Sequence, residues 1–322
     1  MRSLRSLGLV GLYIGAQLVA LALALPFRAQ GLAASSNPSS PTASLYIIVL
    51  IIAAPLGILI LARLRGGLVA LRWVILFGIS YALALTLPFA VATVLPQWYF
   101  IPPAAAGQVI EPAEILGVLG AVLIFEALLL EPQWYVVDIA GFVSAGAIIA
   151  IFGGSFAILP TFILLIALAV YDAIAVYWTK HMVSLAEVVT ELKLPILMVM
   201  PTNPGYDYPA SGGFVEQRSQ PVEVREAMFM GLGDIVFPGI LVVSSYVWLP
   251  DHPVVAGLGA NLWVAFAALL GSLVGYAVLM RLVRSGNPQA GLPFLNGGVI
   301  GGYLLATFLL LHGPMLGISI GL

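Results

Sequence analysis

Apolar residues fill this chain in long unbroken blocks. They do not alternate as in a half-buried strand, nor form the one-sided stripe of a soluble helix. A helix that crosses hydrocarbon needs about 20 mostly apolar residues. Nine such blocks can be drawn, at roughly 7–27, 45–62, 68–95, 110–130, 135–154, 156–178, 230–249, 255–282 and 289–311. The third and eighth are long enough to tilt or overrun the bilayer. The fifth and sixth are separated only by Gly153, Gly154 and Ser155. The first is too long for a signal peptide and lacks a clear cleavage site, so it reads as a retained span. The pattern predicts an all-α polytopic membrane protein with nine transmembrane helices.

Basic residues orient the spans, because Lys and Arg collect on the cytoplasmic side. With nine spans and the N-terminus inside, the cytoplasmic segments hold Arg2, Arg5, Arg63, Arg65, Arg72, Lys180, Lys193, Arg218, Arg225, Arg281 and Arg284. Arg28 alone falls outside. The expected arrangement is therefore a cytoplasmic N-terminus and an extracytoplasmic C-terminus. It divides the chain into a six-helix part, 1–180, a cytoplasmic loop, 181–229, and a three-helix part, 230–322.

The connections differ in character. The outer loop 28–44 is rich in Ser, Ala and Pro and is expected to be mobile. The loop near 96–108 carries Trp98, Tyr99 and Phe100, an interfacial aromatic belt. In the inner loop, SLAEVVTELKLPILMVM has helical spacing, and would continue the sixth helix or lie on the membrane surface. The stretch after it, PTNPGYDYPASGGFVEQRSQP, is turn-rich and expected to be disordered, which makes the loop 181–229 partly disordered.

Composition narrows the function. Hydrophobic residues make up 61% of the 322 residues and charged ones 8%, against about 25% charged in soluble domains. There is no cysteine, which excludes disulfides, zinc–thiolate sites and thiol catalysis. His181, His252 and His312 are scattered near segment ends, so no metal site is expected. A net charge of −2 with no basic stripe gives no reason to expect nucleic acid. No Walker loop, GxSxG elbow or internal repeat is present.

Two aspartates stand out. Asp172 lies in IALAVYDAIAVYW and Asp234 in GLGDIVFPGILVV. An ionisable group inside a membrane segment is costly and therefore usually functional. In the nine-span topology Asp172 lies about 24 Å along the sixth helix, and Asp234 about one turn into the seventh. Antiparallel neighbours would return both to the cytoplasmic third. Two close carboxylates share one proton. One can then take a proton from water while the other polarises a carbonyl, which suits peptide-bond hydrolysis. Gly231 and Gly233 permit close backbone approach beside Asp234. Tyr171, next to Asp172, is either a hydrogen-bond donor or an interfacial anchor. The stretch GNPQAGLPFLNGG, with Pro288, Gly291 and Pro293, interrupts regular helix. Irregular backbone at membrane depth is tolerated only against protein or a water-filled cavity. This one is expected to offer backbone groups to an extended peptide.

These residues resemble the presenilin and signal peptide peptidase family of intramembrane aspartyl proteases. Tyr171-Asp172 is similar to the family's YD motif, and Gly231-Leu232-Gly233-Asp234 to its GxGD motif. Ala290-Gly291-Leu292-Pro293 resembles the third motif, PAL followed by proline; here Leu292 and Pro293 match while Ala290 and Gly291 depart from it. The resemblance implies that Asp172 and Asp234 are the catalytic pair, with Tyr171, Gly231, Leu232, Gly233 and 290–293 shaping the substrate site. It implies transmembrane-helix substrates in the lipid bilayer and no cofactor. The short N-terminus suggests a microbial homologue in the plasma membrane, without obligatory partner subunits. The orientation is presenilin-like.

A secondary transporter or cation channel, using the aspartates as an ion or proton site, is the competing reading. The absent repeat and the off-centre depth of both aspartates count against it. The remaining acids read as structural: Glu111 and Glu114 at a helix start, Glu126 and Glu131 near its end, Asp138 at the start of the fifth span. Glu126 is the one singled out as a candidate to line a polar path.

Overall fold

The computed structural model describes residues 2–35, 37–94, 111–179, 181–203, 205–211, 220, 225–255, 257–283 and 289–312. Six long helices come first: α1 (Arg2–Ala29), α2 (Pro41–Ala62), α3 (Gly67–Val94), α4 (Pro112–Leu130), α5 (Trp134–Ser155) and α6 (Ile158–Ala173). A π-helical turn, Ile174–Trp178, ends α6, and α7 (His181–Glu191) follows. Strands β1 (Leu197–Pro201) and β2 (Ala227–Gly231) precede α8 (Leu232–Trp248). A small hairpin of β3 (Pro253–Val255) and β4 (Leu258–Gly259) leads to α9 (Ala260–Val283) and α10 (Leu292–Leu311). Among the described residues eight helices are long and apolar enough to cross a membrane, and α8 is apolar but shorter, at 17 residues.

Local chemistry sets the boundaries. Proline occupies the first turn of α2, α4 and α10, where its missing N–H costs nothing. The Ser40 hydroxyl caps α2 by accepting the Thr42 amide at 3.3 Å. Extended backbone at Phe156 and Ala157 separates α5 from α6, at the boundary the sequence left narrowest.

Helix α5 is the centre of the molecule: 61% of its apolar stretch is buried, against 11% for α2 and 17% for α3. It packs on α1 and α8, and a methyl group on Gly153 would come 2.5 Å from Val243 Cβ. Helices α9 and α10 approach still more closely. Gly271 and Gly275 face Gly298 and the Phe294 carbonyl, and any side chain there would collide with backbone. Without water to drive association, such small-residue contacts let dispersion hold membrane helices together. Helices α2, α3 and α4 leave large apolar side chains outward, among them Leu50, Val74, Phe77 and Leu123. Hydrocarbon solvates those side chains as well as a protein core would.

Three expectations need correction. The end of the run SLAEVVTELKLPILMVM, expected to continue the sixth helix or lie on the membrane surface as helix, enters β1 instead, pairing antiparallel with β2 in the register Leu197↔Gly231 to Pro201↔Ala227. Pro195 blocks helix continuation, and Ile196, Val199 and the methionines suit a pleated, half-buried edge. The following stretch is ordered over 205–211. Tyr206 and Tyr208 are buried there against Phe229 and α5, and the Lys193 ammonium donates to the Tyr208 and Ser211 carbonyls at 2.7 and 2.9 Å. Burial pushes the Tyr208 phenol above its ordinary range. The outer loop is also docked: the Ala34 amide donates to Ser155 Oγ at 2.7 Å, and Ala157 to the Pro38 carbonyl at 2.9 Å. Trp98, Tyr99, Phe100 and Pro288 lie outside the described residues.

Candidate active site

Asp172 occupies the last turn of α6 and is buried, at 5% exposure. The π-helical turn begins two residues later and re-aims the chain. Asp234 sits in the first turn of α8, where the helix dipole and the free first-turn amides favour a carboxylate. Its placement follows from the strand before it. Gly231 is the extended N-cap, its backbone bonds the Asp234 carboxylate, and the Leu232 amide donates to the Ile196 carbonyl at 2.9 Å. Strand pairing therefore continues into the first residue of the helix that carries Asp234.

The start of α10 joins the two. The Leu292 amide donates to Asp172 Oδ2 at 3.0 Å, and the Gly291 backbone also bonds that carboxylate. On its other side Gly291 lies against Asp234: a Cβ there would be 2.8 Å from Oδ1. Asp172 and Asp234 interact electrostatically across this segment. Pro293, in the first turn of α10, leaves a break in which these amides point at the Asp172 carboxylate rather than back into a helix.

The other expected residues cluster here. Ala290 and Leu292 are buried. Gly233 lies under the Phe237 ring, 3.0 Å from where a Cβ would stand, and Leu232 packs beside Gly141 of α5. Tyr171 is half-buried beside Asp172. A second tyrosine, passed over in the sequence, touches the segment. The Tyr177 hydroxyl donates to Gln289 Oε1 at 3.0 Å and accepts the Ala290 amide at 3.3 Å. The expectation that residues 290–293 keep their backbone groups open for a peptide is thus corrected for the amides of Ala290 and Leu292, which have partners within the chain.

Other contributors also escaped the sequence reading. Asn296, fully buried one turn into α10, donates to the Leu165 carbonyl of α6 at 2.9 Å and so ties α10 to α6. Its signal was an amide in an apolar span. From α1 and α9, Tyr13 and Tyr276 lie with ring centroids 6.1 Å apart and in electrostatic reach of Asp234. Glu126 is exposed on α4, whereas Asp138 is buried. Among the described residues no three His, Asp or Glu side chains converge to hold a metal ion. The arrangement can do proton chemistry: two carboxylates meet one segment, which gives backbone donors to Asp172 and packs Gly291 against Asp234.

Residues 10–311 match the family model described as signal-peptide peptidase, presenilin aspartyl protease. Two solved structures of a presenilin family intramembrane aspartate protease are similar in fold and sequence. The C222 crystal form has 33% identity and a TM-score of 0.63, covering 94% of this chain and 98% of that one. The P2 form has 35% identity and a TM-score of 0.59, covering 94% and 97%. No curated protein matches.

Proposed function

The chain belongs to the signal-peptide peptidase and presenilin family of aspartyl proteases, and from that premise we propose that Asp172 and Asp234 are its catalytic pair. The protein is a multi-pass integral membrane protein and an intramembrane aspartyl endopeptidase, acting on transmembrane substrates within the bilayer.

The observation that carries the assignment is the shared segment: Leu292 bonds Asp172 while Gly291 packs on Asp234. In the proposed reaction one carboxylate is ionised and the other protonated. The ionised one takes a proton from water as the water oxygen attacks the scissile carbonyl carbon. The protonated one donates to the carbonyl oxygen, giving a neutral gem-diol. Collapse of the diol breaks the C–N bond, the leaving nitrogen takes a proton from the dyad, and the second carboxylate regains its own. Protons balance, and no covalent intermediate is required.

Tyr171, Gly231, Leu232, Gly233 and 290–293 shape the surface on which the unwound substrate lies. With α8 counted as a span, this reading has nine spans, a cytoplasmic N-terminus, an extracytoplasmic C-terminus and both aspartates in the cytoplasmic third. Hydropathy and the distribution of basic residues support this orientation. We further propose that the enzyme works without obligatory partner subunits, in a microbial plasma membrane. The test is cleavage of a transmembrane peptide by the purified chain reconstituted in lipid. Cleavage that depends on both aspartates supports the reading. Ion flux without cleavage would favour a transporter or channel.

A further inference from the structure

Asp138 is a third carboxylate in the apolar part of the chain, and the reaction above leaves it without a task. It stands near the start of α5 at 5% exposure, beside a cavity of about 490 Å³ lined mainly by apolar side chains, including Trp134, Ile139, Phe142 and Met200. A carboxylate in such surroundings costs stability unless a specific partner offsets it. That partner is a backbone amide: Val199 N donates to Asp138 Oδ1 at 2.7 Å.

The phase of the ladder shows what this bond does. Leu232 N donates to the Ile196 carbonyl and Thr202 N to the Glu226 carbonyl. Amides alternate sides along a strand. The even-numbered residues from Ile196 to Thr202 therefore face β2, and Leu197, Val199 and Pro201 face outward. Pro201 has no amide to offer, so Asp138 takes one of two outward N–H groups on β1. The bond fastens β1 to α5 through its outer edge, while the inner edge carries β2 and runs directly into Asp234.

We propose that Asp138 is a positioning residue for the dyad. By holding the Val199 amide it pins β1 to α5, and through β2 it keeps the first turn of α8, with Asp234, at the depth where Gly291 and Leu292 meet both aspartates. This rests on the reading that Asp172 and Asp234 carry out the hydrolysis.

The test is turnover of a transmembrane peptide by full-length reconstituted variants, normalised to the folded fraction. Asp138→Ala removes the acceptor and should lower kcat about tenfold or more, the size expected for losing a buried bond to a carboxylate, with KM within about twofold. Asp138→Asn keeps an acceptor oxygen and should recover most of that loss. Val199→Pro removes the amide from the other side of the bond and should reproduce the Ala phenotype. The double variant should lose little more than either single, because both changes delete one interaction. Affinity for a hydroxyl-bearing peptide isostere should fall in parallel with kcat/KM, which a loss of fold stability alone would not produce.

Asp172→Asn and Asp234→Asn run beside these variants. Activity in either overturns the dyad reading, and this proposal with it. If both are inactive while Asp138→Ala matches wild type per folded molecule, the positioning role alone is overturned. Equal turnover of the Ala and Asn variants, or losses that multiply in the double variant, would overturn it as well.

Discussion

The backbone amide of Leu292 donates to the carboxylate of Asp172 across 3.0 Å, joining residues 120 positions apart. The first amides of a helix have no intrahelical acceptor. Here one of them orients a buried acid, and the same segment touches the second acid through Gly291.

Asp172→Asn and Asp234→Asn are each expected to abolish cleavage, with the protein still folded, because an amide can neither accept the proton of water nor return one. The losses should not multiply, since the pair acts as a unit. Peptide cleavage by purified single and double variants reads this. Substantial activity in either single variant would refute the assignment.

Gly291→Ala is expected to cut kcat about tenfold or more, with little change in Tm. Its methyl group would stand 2.8 Å from Asp234 Oδ1, closer than van der Waals contact allows, so the carboxylate must move. Gly231→Ala, 3.3 Å from Oδ2, should cost less. A Gly291→Ala enzyme with wild-type turnover would show that the segment does not set the geometry of Asp234.

Asn296→Ala should destabilise the protein by about 1 kcal/mol, typical of an interhelical bond in a membrane, and should also lower kcat. The bond to Leu165 sets the depth of α10 against α6. Thermal melts and turnover on the same preparations check both effects. Loss of stability with full turnover per folded molecule would separate Asn296 from the site.

Activity should fall at both extremes of pH. Acid protonates the carboxylate that serves as base, and alkali ionises the one that serves as acid. A hydroxyl-bearing isostere should compete by resembling the tetrahedral intermediate, and chelators should have no effect. Inhibition by chelators, with indifference to the isostere, would overturn the mechanism.

A substrate helix hides its carbonyls in i→i−4 bonds, so a turn must unwind before water can attack. Glycine or proline near the scissile bond should therefore raise kcat/KM. Leu292 is buried where the start of α10 meets Asp172. Leu292→Arg should lower turnover more than it lowers Tm. An unchanged rate for helix-broken substrates would remove the unwinding step.

The sequence alone settled what one-dimensional physics decides. Blocks of about 20 apolar residues can only be bilayer helices, and Asp172 and Asp234 stood out because charge is expensive there. Those signals are local, so they were legible. Tertiary structure decided which polar groups meet. Leu197–Pro201 is a strand because β2, far along the chain, supplies its partner, and strand pairing is a non-local contact that hydropathy does not encode. Asp138 and Asn296 looked incidental in the sequence. What each does depends on one backbone group that folding brings within 3 Å: the Val199 amide for Asp138, the Leu165 carbonyl for Asn296. Likewise the amides of Ala290 and Leu292 read as open in the sequence and are engaged in the fold, because only packing of α10 on α6 brings Tyr177 and Asp172 to them.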